Sequence, residues 1–238
     1  MAVAAALIPR GSRVADVGTD HALLPALLLE SKRASFCIAS DRSREALDRI
    51  APPVERFVRS GTLQLRHADG LRALRSEDRI DVVVMAGLGA QSMIRMLEAH
   101  ARACPQLRRL VLEPRTEIGL LRRWLDGRGF GIVDERAVFE RGRHYFLLAA
   151  EPGKREVGFE YPGLSRDDLY EAGPLLVRSG SEVVRRFWQR QLDLEESILR
   201  RGSLGRGHEK TVERRDRAQR VLEALDRVMR TGAPAASF

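Results

Sequence analysis

The chain has 238 residues, 44% of them hydrophobic and 31% charged, with a formal charge of +8. That length can bury one large core, or a core of roughly 150 residues with an appendage. No apolar run approaches the roughly 20 residues that cross a bilayer, and Met1 to Pro9 lacks a basic leader and a cleavage site, so a soluble cytoplasmic protein without a membrane partner is expected. Two cysteines and five scattered histidines give neither a disulfide framework nor metal-ligand spacing, so no metal is expected. The positive charge suits a polyanion such as RNA, but it is carried almost wholly by arginine and spread over both halves of the chain, so no single stretch establishes nucleic-acid binding.

In chain order, Val14 to Val17 is a short apolar strand (about 13 to 18) that runs into Gly18, Thr19, Asp20 and His21, with a helical pattern following to about residue 31. Ser35 to Asp41 reads as a second buried strand ending in a carboxylate. Arg44 to Arg59 is helical but interrupted by Pro52 and Pro53. Leu63 to Asp69 alternates like a strand and again ends in Asp, before Gly70. Ile80 to Gly87 is a continuous apolar run, as expected of a parallel strand covered on both faces. A helix is expected from about Ala90 to Ala103, a fifth strand over Arg109 to Pro114, and a fifth helix over Thr116 to Asp126. Phe130 to Phe139 and His144 to Ala150 then form a hairpin around Arg141, Gly142 and Arg143. Five strand and helix alternations followed by an antiparallel hairpin specify an open, doubly wound α/β sheet, which resembles the Rossmann-like sheet of class I methyltransferases. A dinucleotide dehydrogenase would carry Gly-x-Gly-x-x-Gly, which is absent.

Composition changes at Glu151, so domains of residues 1 to 151 and 152 to 238 are expected, joined by a linker over Pro152 to Arg155. A long helix from about Leu175 to Arg201 carries an apolar stripe of Val183, Val184, Phe187, Trp188, Leu192, Leu194, Ile198 and Leu199, with Arg185, Arg186, Arg190, Arg200 and Arg201 outside it. Gly202 to Gly207 is a stop and loop, and a second helix from about His208 to Arg230 puts Val221, Leu222, Leu225, Val228 and Met229 on one face. These two helices form an antiparallel, coiled-coil-like C-terminal hairpin, and Thr231 to Phe238 a frayed tail.

In an open parallel sheet, ligands bind beyond the carboxyl ends of the strands. The expected topology gathers Asp16, Gly18 and Asp20 from strand one, Asp41 from strand two, Asp69 and Gly70 from strand three, and Ala86, Gly87, Leu88 and Gly89 from strand four on that edge. A glycine lets a ligand approach the backbone, and Asp41, 23 residues after Gly18, has the spacing at which a carboxylate meets ribose hydroxyls. Asp69 would hold an adenine amino group. Each Asp taken singly also reads as a helix N-cap or loop residue.

Ala15-Asp-Val-Gly-Thr-Asp-His-Ala-Leu-Leu-Pro25 closely resembles the Ala-Asp-Ile-Gly-Ser/Thr-Asp-His-Ala-Tyr-Leu-Pro signature of the bacterial TrmK family, the tRNA adenine-22 N1-methyltransferases. The similarity continues in Asp69-Gly70, Met85 to Gly89, Leu112 to Arg115, Leu175 to Val177 and Arg186 to Trp188. It implies an S-adenosylmethionine donor, a tRNA substrate, and a coiled-coil hairpin that helps to bind it. Under that reading Asp20 is the catalytic candidate, facing the transferred methyl and its acceptor. Asp16, Gly18, Asp20, His21, Asp41, Asp69, Gly70, Ala86 and Gly87 are expected on the cofactor, and Leu88, Gly89, Pro114 and Arg115 on the substrate. Asp20 alternatively caps the helix near Ala22, and Arg115 alternatively pairs with Glu117 on the surface.

Three departures surround the target pocket: Leu23 stands for the family's tyrosine, Ala86-Gly-Leu-Gly-Ala90 for Ala-Gly-Met-Gly-Gly, and Glu113-Pro114-Arg115 for Gln-Pro-Asn. They keep open a methyltransferase for another RNA position or a small molecule, a non-catalytic RNA-binding protein, and an NAD-type oxidoreductase. Relatives carry several more residues of a first helix, so Met1 is expected to be a late start and Val3 to Ile8 a shortened stub. The sequence leaves the oligomeric state open, a monomer included.

Overall fold

The computed structural model describes residues 1–99, 104–153, 160–201 and 207–231. The last residues of the helix expected to reach Ala103, part of the linker at Pro152 to Arg155, all of the loop expected over Gly202 to Gly207 except Gly207, and nearly all of the expected tail fall outside them. Two compact units are present, Met1–Asp134 with Leu147–Arg155, and Glu135–Phe146 with Glu156–Phe238. The division falls within the strand hairpin, so its tip groups with the C-terminal helices and not with the sheet.

The first unit contains α1 (Ala2–Ala6), β1 (Ser12–Val17), α2 (Leu23–Glu30), β2 (Ala34–Asp41), α3 (Arg44–Asp48), α4 (Pro52–Arg59), β3 (Leu63–His67), β4 (Val82–Leu88), α5 (Ala90–Ala99), β5 (Arg109–Pro114) and α6 (Ile118–Gly127). The strands β6 (Phe130–Glu140) and β7 (Arg143–Pro152) complete a seven-stranded sheet of order β3-β2-β1-β4-β5-β7-β6. Pairing is parallel from β3 to β5, and β7 runs antiparallel against β5. The doubly wound sheet with a reversed terminal strand is thus as expected. Val82, Val83, Val84 and Met85 are all buried, because helices cover both faces of the parallel part. On one face Ile38, Val83, Met85, Leu110 and Leu112 pack with Met93 and Leu97 of α5 and Leu121 and Leu125 of α6.

Local chemistry explains the breaks. Pro52 and Pro53 occupy the opening positions of α4, where a missing N–H costs nothing, and Ser43 caps α3 by accepting from Ala46 N. The hairpin turn is tighter than the three residues expected: Arg141 and Gly142, both with positive φ, make a two-residue turn whose twist suits the strands, and Arg143 joins β7.

In the second unit the helix expected over Leu175 to Arg201 is interrupted. It divides into α8 (Pro174–Ser179) and α9 (Glu182–Arg200) at Gly180. Gly180 has φ +58°, and a Cβ there would lie 2.9 Å from Val228 Cγ1, so the break is a close approach that only glycine permits. α7 (Arg166–Ala172), which the apolar pattern did not reveal, starts on a reciprocal cap between Ser165 and Asp168. α10 (His208–Thr231) runs antiparallel to α9, since Arg185 pairs with Asp226 and Arg214 with Glu195. Two members of the expected stripes, Leu194 and Met229, are exposed, while Glu195 is buried because Arg214 meets its carboxylate.

Asp168 ties α7 to α10. Besides the cap, it accepts from Arg217 Nε at 3.2 Å and from both Nε and Nη2 of Arg220, at 3.0 and 2.8 Å. Burial pushes its carboxyl upward, but the hydrogen bonds from Arg220 and Ser165 outweigh this and hold it down at about 2. A pKa depressed in the folded state contributes stability above the unfolded value near 4 and loses it as pH falls through 2. Asp168→Asn should therefore destabilise the helical unit by about 3 kcal/mol at pH 7, and in acid titrations followed by circular dichroism its difference from the parent should shrink between pH 4 and 2.

Candidate active site

The strand order reverses between β1 and β4, which opens a crevice at their carboxyl ends. On the β1 side the chain leaves the sheet through Gly18, with φ +77°, and the N–H groups of Gly18 and Thr19 both donate to the Ser40 carbonyl, at 2.8 and 3.0 Å. Asp20 and Ala22 follow with φ +54° and +53°, conformations that non-glycine residues adopt only under constraint. Ala22 is the N-cap of α2 and no side chain caps that helix, so the capping alternative for Asp20 does not hold. The Asp20 side chain is exposed, 3.6 Å from His21 Nε2. His21 Nδ1 lies 3.3 Å from the Arg49 carbonyl, which ties the loop to the end of α3.

Asp41 closes this side. One of its oxygens accepts from Asp20 N at 3.2 Å and the other from Ser43 N at 2.8 Å, which leaves a lone pair on each for a ligand hydroxyl. Asp16, on β1, is 5% exposed, and its carboxylate accepts from Thr19 Oγ1 at 2.6 Å. Burial pushes the Asp16 carboxyl up to about 6; the Thr19 hydrogen bond opposes the rise and the neighbouring Asp41 charge adds to it. Asp69 is exposed at the end of β3. Gly70 is buried with φ +59°, and a Cβ there would lie 2.6 Å from Met96 Sδ, so packing against α5 accounts for this glycine.

Across the crevice, Gly87 has φ +76° and its N–H donates to Glu113 Oε2 at 2.8 Å. Burial raises the Glu113 carboxyl, while that hydrogen bond and the Arg115 charge hold it back. The Arg115 guanidinium covers Gly87, with Nε and Nη2 each 3.6 Å from where a Cβ would stand. Arg115 is exposed and does not pair with Glu117, which instead accepts from Gln91 Nε2 at 3.1 Å. The Leu88 side chain faces Gly18, 3.6 Å from the position of its missing Cβ, while the Leu88 carbonyl accepts from Arg115 N. Ala86 precedes this turn in β4, Pro114 pairs with Leu88, and Gly89 approaches Thr116 Oγ1. Among the described residues, Thr19, Ser40 and Glu113 were not singled out as site residues from the sequence. Thr19 stands three residues after Asp16, and Glu113 opens the Glu-Pro-Arg run; Ser40, whose buried Oγ finds no hydrogen-bond partner, gave no signal.

The family model described as TrmK, tRNA (adenine(22)-N(1))-methyltransferase, matches residues 14–227. This chain belongs to that family. The Bacillus subtilis tRNA (adenine(22)-N(1))-methyltransferase is 28% identical over 223 residues, which cover 92% of this chain and 92% of that protein. The crystal structure of the B. subtilis m1A22 tRNA methyltransferase TrmK is 27% identical, with a TM-score of 0.78 over 96% of each chain. A Streptococcus pneumoniae structure in complex with S-adenosyl-L-methionine is 27% identical, with a TM-score of 0.79 over 93% of this chain and 97% of that one. Family membership makes the chain an S-adenosylmethionine-dependent tRNA methyltransferase. Among the described residues no helix is long and apolar enough to cross a membrane.

The crevice fits such a cofactor. Gly18 lets a ligand approach the β1 backbone, Asp41 offers acceptors to a ribose diol, and a cationic ligand would offset the repulsion between Asp16 and Asp41. The raised Asp16 pKa has a definite sign: burial favours the protonated form, so this contribution to stability is full below pH 4 and lost as pH rises through 6. A ligand ammonium favours the ionised form. Calorimetric affinity for S-adenosylmethionine should therefore climb as pH rises through 6 and level off above it, whereas Asp16→Asn should flatten the profile.

Proposed function

We infer that this enzyme methylates N1 of adenine 22 in tRNA, with the crevice between the ends of β1 and β4 as its active site. The observation that supports this best is the convergence of the Asp16 to His21 loop, Asp41 and the Gly87 turn, in a chain that matches the TrmK family from residue 14 to 227. In this reading Asp16, Gly18, His21, Asp41, Asp69, Gly70, Ala86 and Gly87 build the cofactor side, and Leu88, Gly89, Pro114 and Arg115 border the target base.

The bound cofactor supplies an electrophilic methyl group: the N1 lone pair forms the new N–C bond as the S–C bond breaks, with S-adenosylhomocysteine as the leaving group. N1 of neutral adenine carries no proton, so the attack needs no base, and the protein's task is to position the ring. Methylation leaves positive charge on the base. Asp20, held over the crevice by its backbone bond to Asp41, accepts from the exocyclic amino group and stabilises that charge. His21 orients the loop through the Arg49 carbonyl. N1 lies on the pairing edge, so the target base must be exposed before transfer. The C-terminal helices contribute tRNA contacts in this account.

Incubation with unmodified tRNA and labelled S-adenosylmethionine, followed by nucleoside analysis, should give 1-methyladenosine at one D-arm position. Labelled small molecules with bare tRNA would overturn the reading. Asp20→Asn suits the left-handed backbone at this position and removes only the charge, so it should lower kcat about 100-fold with cofactor affinity nearly unchanged; full activity would remove Asp20 from the chemistry.

A further inference from the structure

Several arginines of the C-terminal helices meet carboxylates of the same unit. Arg185 pairs with Asp226, Arg186 with Glu182, Arg200 with Glu196, Arg214 with Glu195, and Arg217 and Arg220 with Asp168. Arg178, Arg190 and Arg201 are exposed with no carboxylate paired to them among the described residues, and of these Arg190 lies over an aromatic ring, its guanidinium 5.3 Å from the centroid of Phe139.

Phe139 stands at the end of β6 and is 45% exposed. Behind it runs a chain of rings. His144 lies 4.7 Å from Phe139 and 5.3 Å from Phe187, and Phe187 meets Phe146 edge-on at 4.9 Å and Trp188 at 5.7 Å. This support fixes Phe139 without hiding it. Beside it is a groove of about 350 Å³ lined by Phe139, His144, Glu182, Val183, Arg186 and Arg190. Burial, with the Arg190 charge, holds His144 below its ordinary pKa, so the imidazole is neutral near pH 7 and can accept as well as donate.

A supported, half-exposed ring under a guanidinium that no carboxylate holds can recognise an unstacked nucleobase, which takes the guanidinium's place on the ring as Arg190 turns to the flanking phosphate. An acidic peptide would use the guanidinium but not the ring, and an apolar peptide the reverse. We propose that the tip of the β6 and β7 hairpin and the adjoining turn of α9 bind an unpaired base of the tRNA, stacked on Phe139, with Arg190 on its phosphate. This site is separate from the crevice residues and rests on the tRNA methyltransferase reading. It gives the enzyme a second hold on the folded RNA.

The test uses the full chain and an unmodified tRNA transcript. Phe139→Ala should weaken tRNA binding about tenfold in filter-binding titrations, in keeping with the loss of one stacked base, and Phe139→Trp should stay within about twofold of the parent. Arg190→Gln should lower the slope of log affinity against log salt by about one. S-adenosylmethionine affinity should be unchanged in all three. Parental tRNA affinity in Phe139→Ala would overturn the proposal, and so would a parental salt slope in Arg190→Gln. If the Ala variant melts early, ultraviolet crosslinking of the parent decides: labelled tRNA joined to the peptide containing Phe139 supports the site, and its absence there overturns it. Failure of the parent to form 1-methyladenosine would count against the functional reading. Methylation by the parent together with an inert Phe139→Ala would count against this site alone.

Discussion

The Ser40 carbonyl accepts from two successive N–H groups, those of Gly18 and Thr19, and the path of the loop after β1 follows from that. β1 is held in register with β2 as far as Val17 and Ser40, and the double bond then folds the chain back over the end of β2. Only a glycine adopts φ +77° at the turn without steric cost. From there the backbone of Asp20 reaches the Asp41 carboxylate, so a β1 loop and a β2 end become one surface. The arrangement carries strain, because Asp20 and Ala22 both sit at left-handed angles, at a cost on the order of 1 kcal/mol each. Buried pairing of β1 with β2 on one side and β4 on the other sustains that cost.

Charge is distributed against the net balance of the molecule. A chain of formal charge +8 gathers Asp16, Asp20, Asp41 and Asp69 at the carboxyl ends of three adjacent strands. The Asp41 charge pushes the Asp16 carboxyl upward, and a cation beside the two would relieve that repulsion. In the helical unit several basic side chains meet internal carboxylates. Net charge is therefore a poor guide to where either ligand docks: it describes the long-range field, while the local sites depend on which few groups remain unpaired.

The sheet was legible because its strands are short apolar runs closed by Gly or Asp, and because a hairpin cannot be mistaken for another helical crossover. The strand-end positions of the candidate site were legible, since topology alone brings such positions to one edge. What periodicity could not show was anything decided by a contact distant in sequence. The break at Gly180 depends on Val228, the burial of Gly70 on Met96, and the burial of Glu195 on Arg214. α7 was missed because its seven residues are too few to establish a period, although the cap pair Ser165 and Asp168 was present in the sequence. Exposure of Leu194 and Met229 was invisible for the same reason: a helix face is apolar in sequence whether or not its neighbour covers every turn.

The departures from the family pattern at Glu113 and Arg115 form one electrostatic unit. A carboxylate at Glu113 is half-buried, and burial alone would drive it toward its neutral form. The Gly87 N–H and the charge of Arg115 both act against that, from the two sides of the same turn. The fit depends on Gly87 lacking a side chain, because the guanidinium occupies the space above it. Replacing Glu113 alone would leave the Gly87 N–H without its acceptor and Arg115 without a counter-charge; replacing Arg115 alone would raise Glu113 further. An acidic residue before Pro114 and a basic one after it therefore belong together, and they present a carboxylate and a guanidinium beside the turn that faces Gly18.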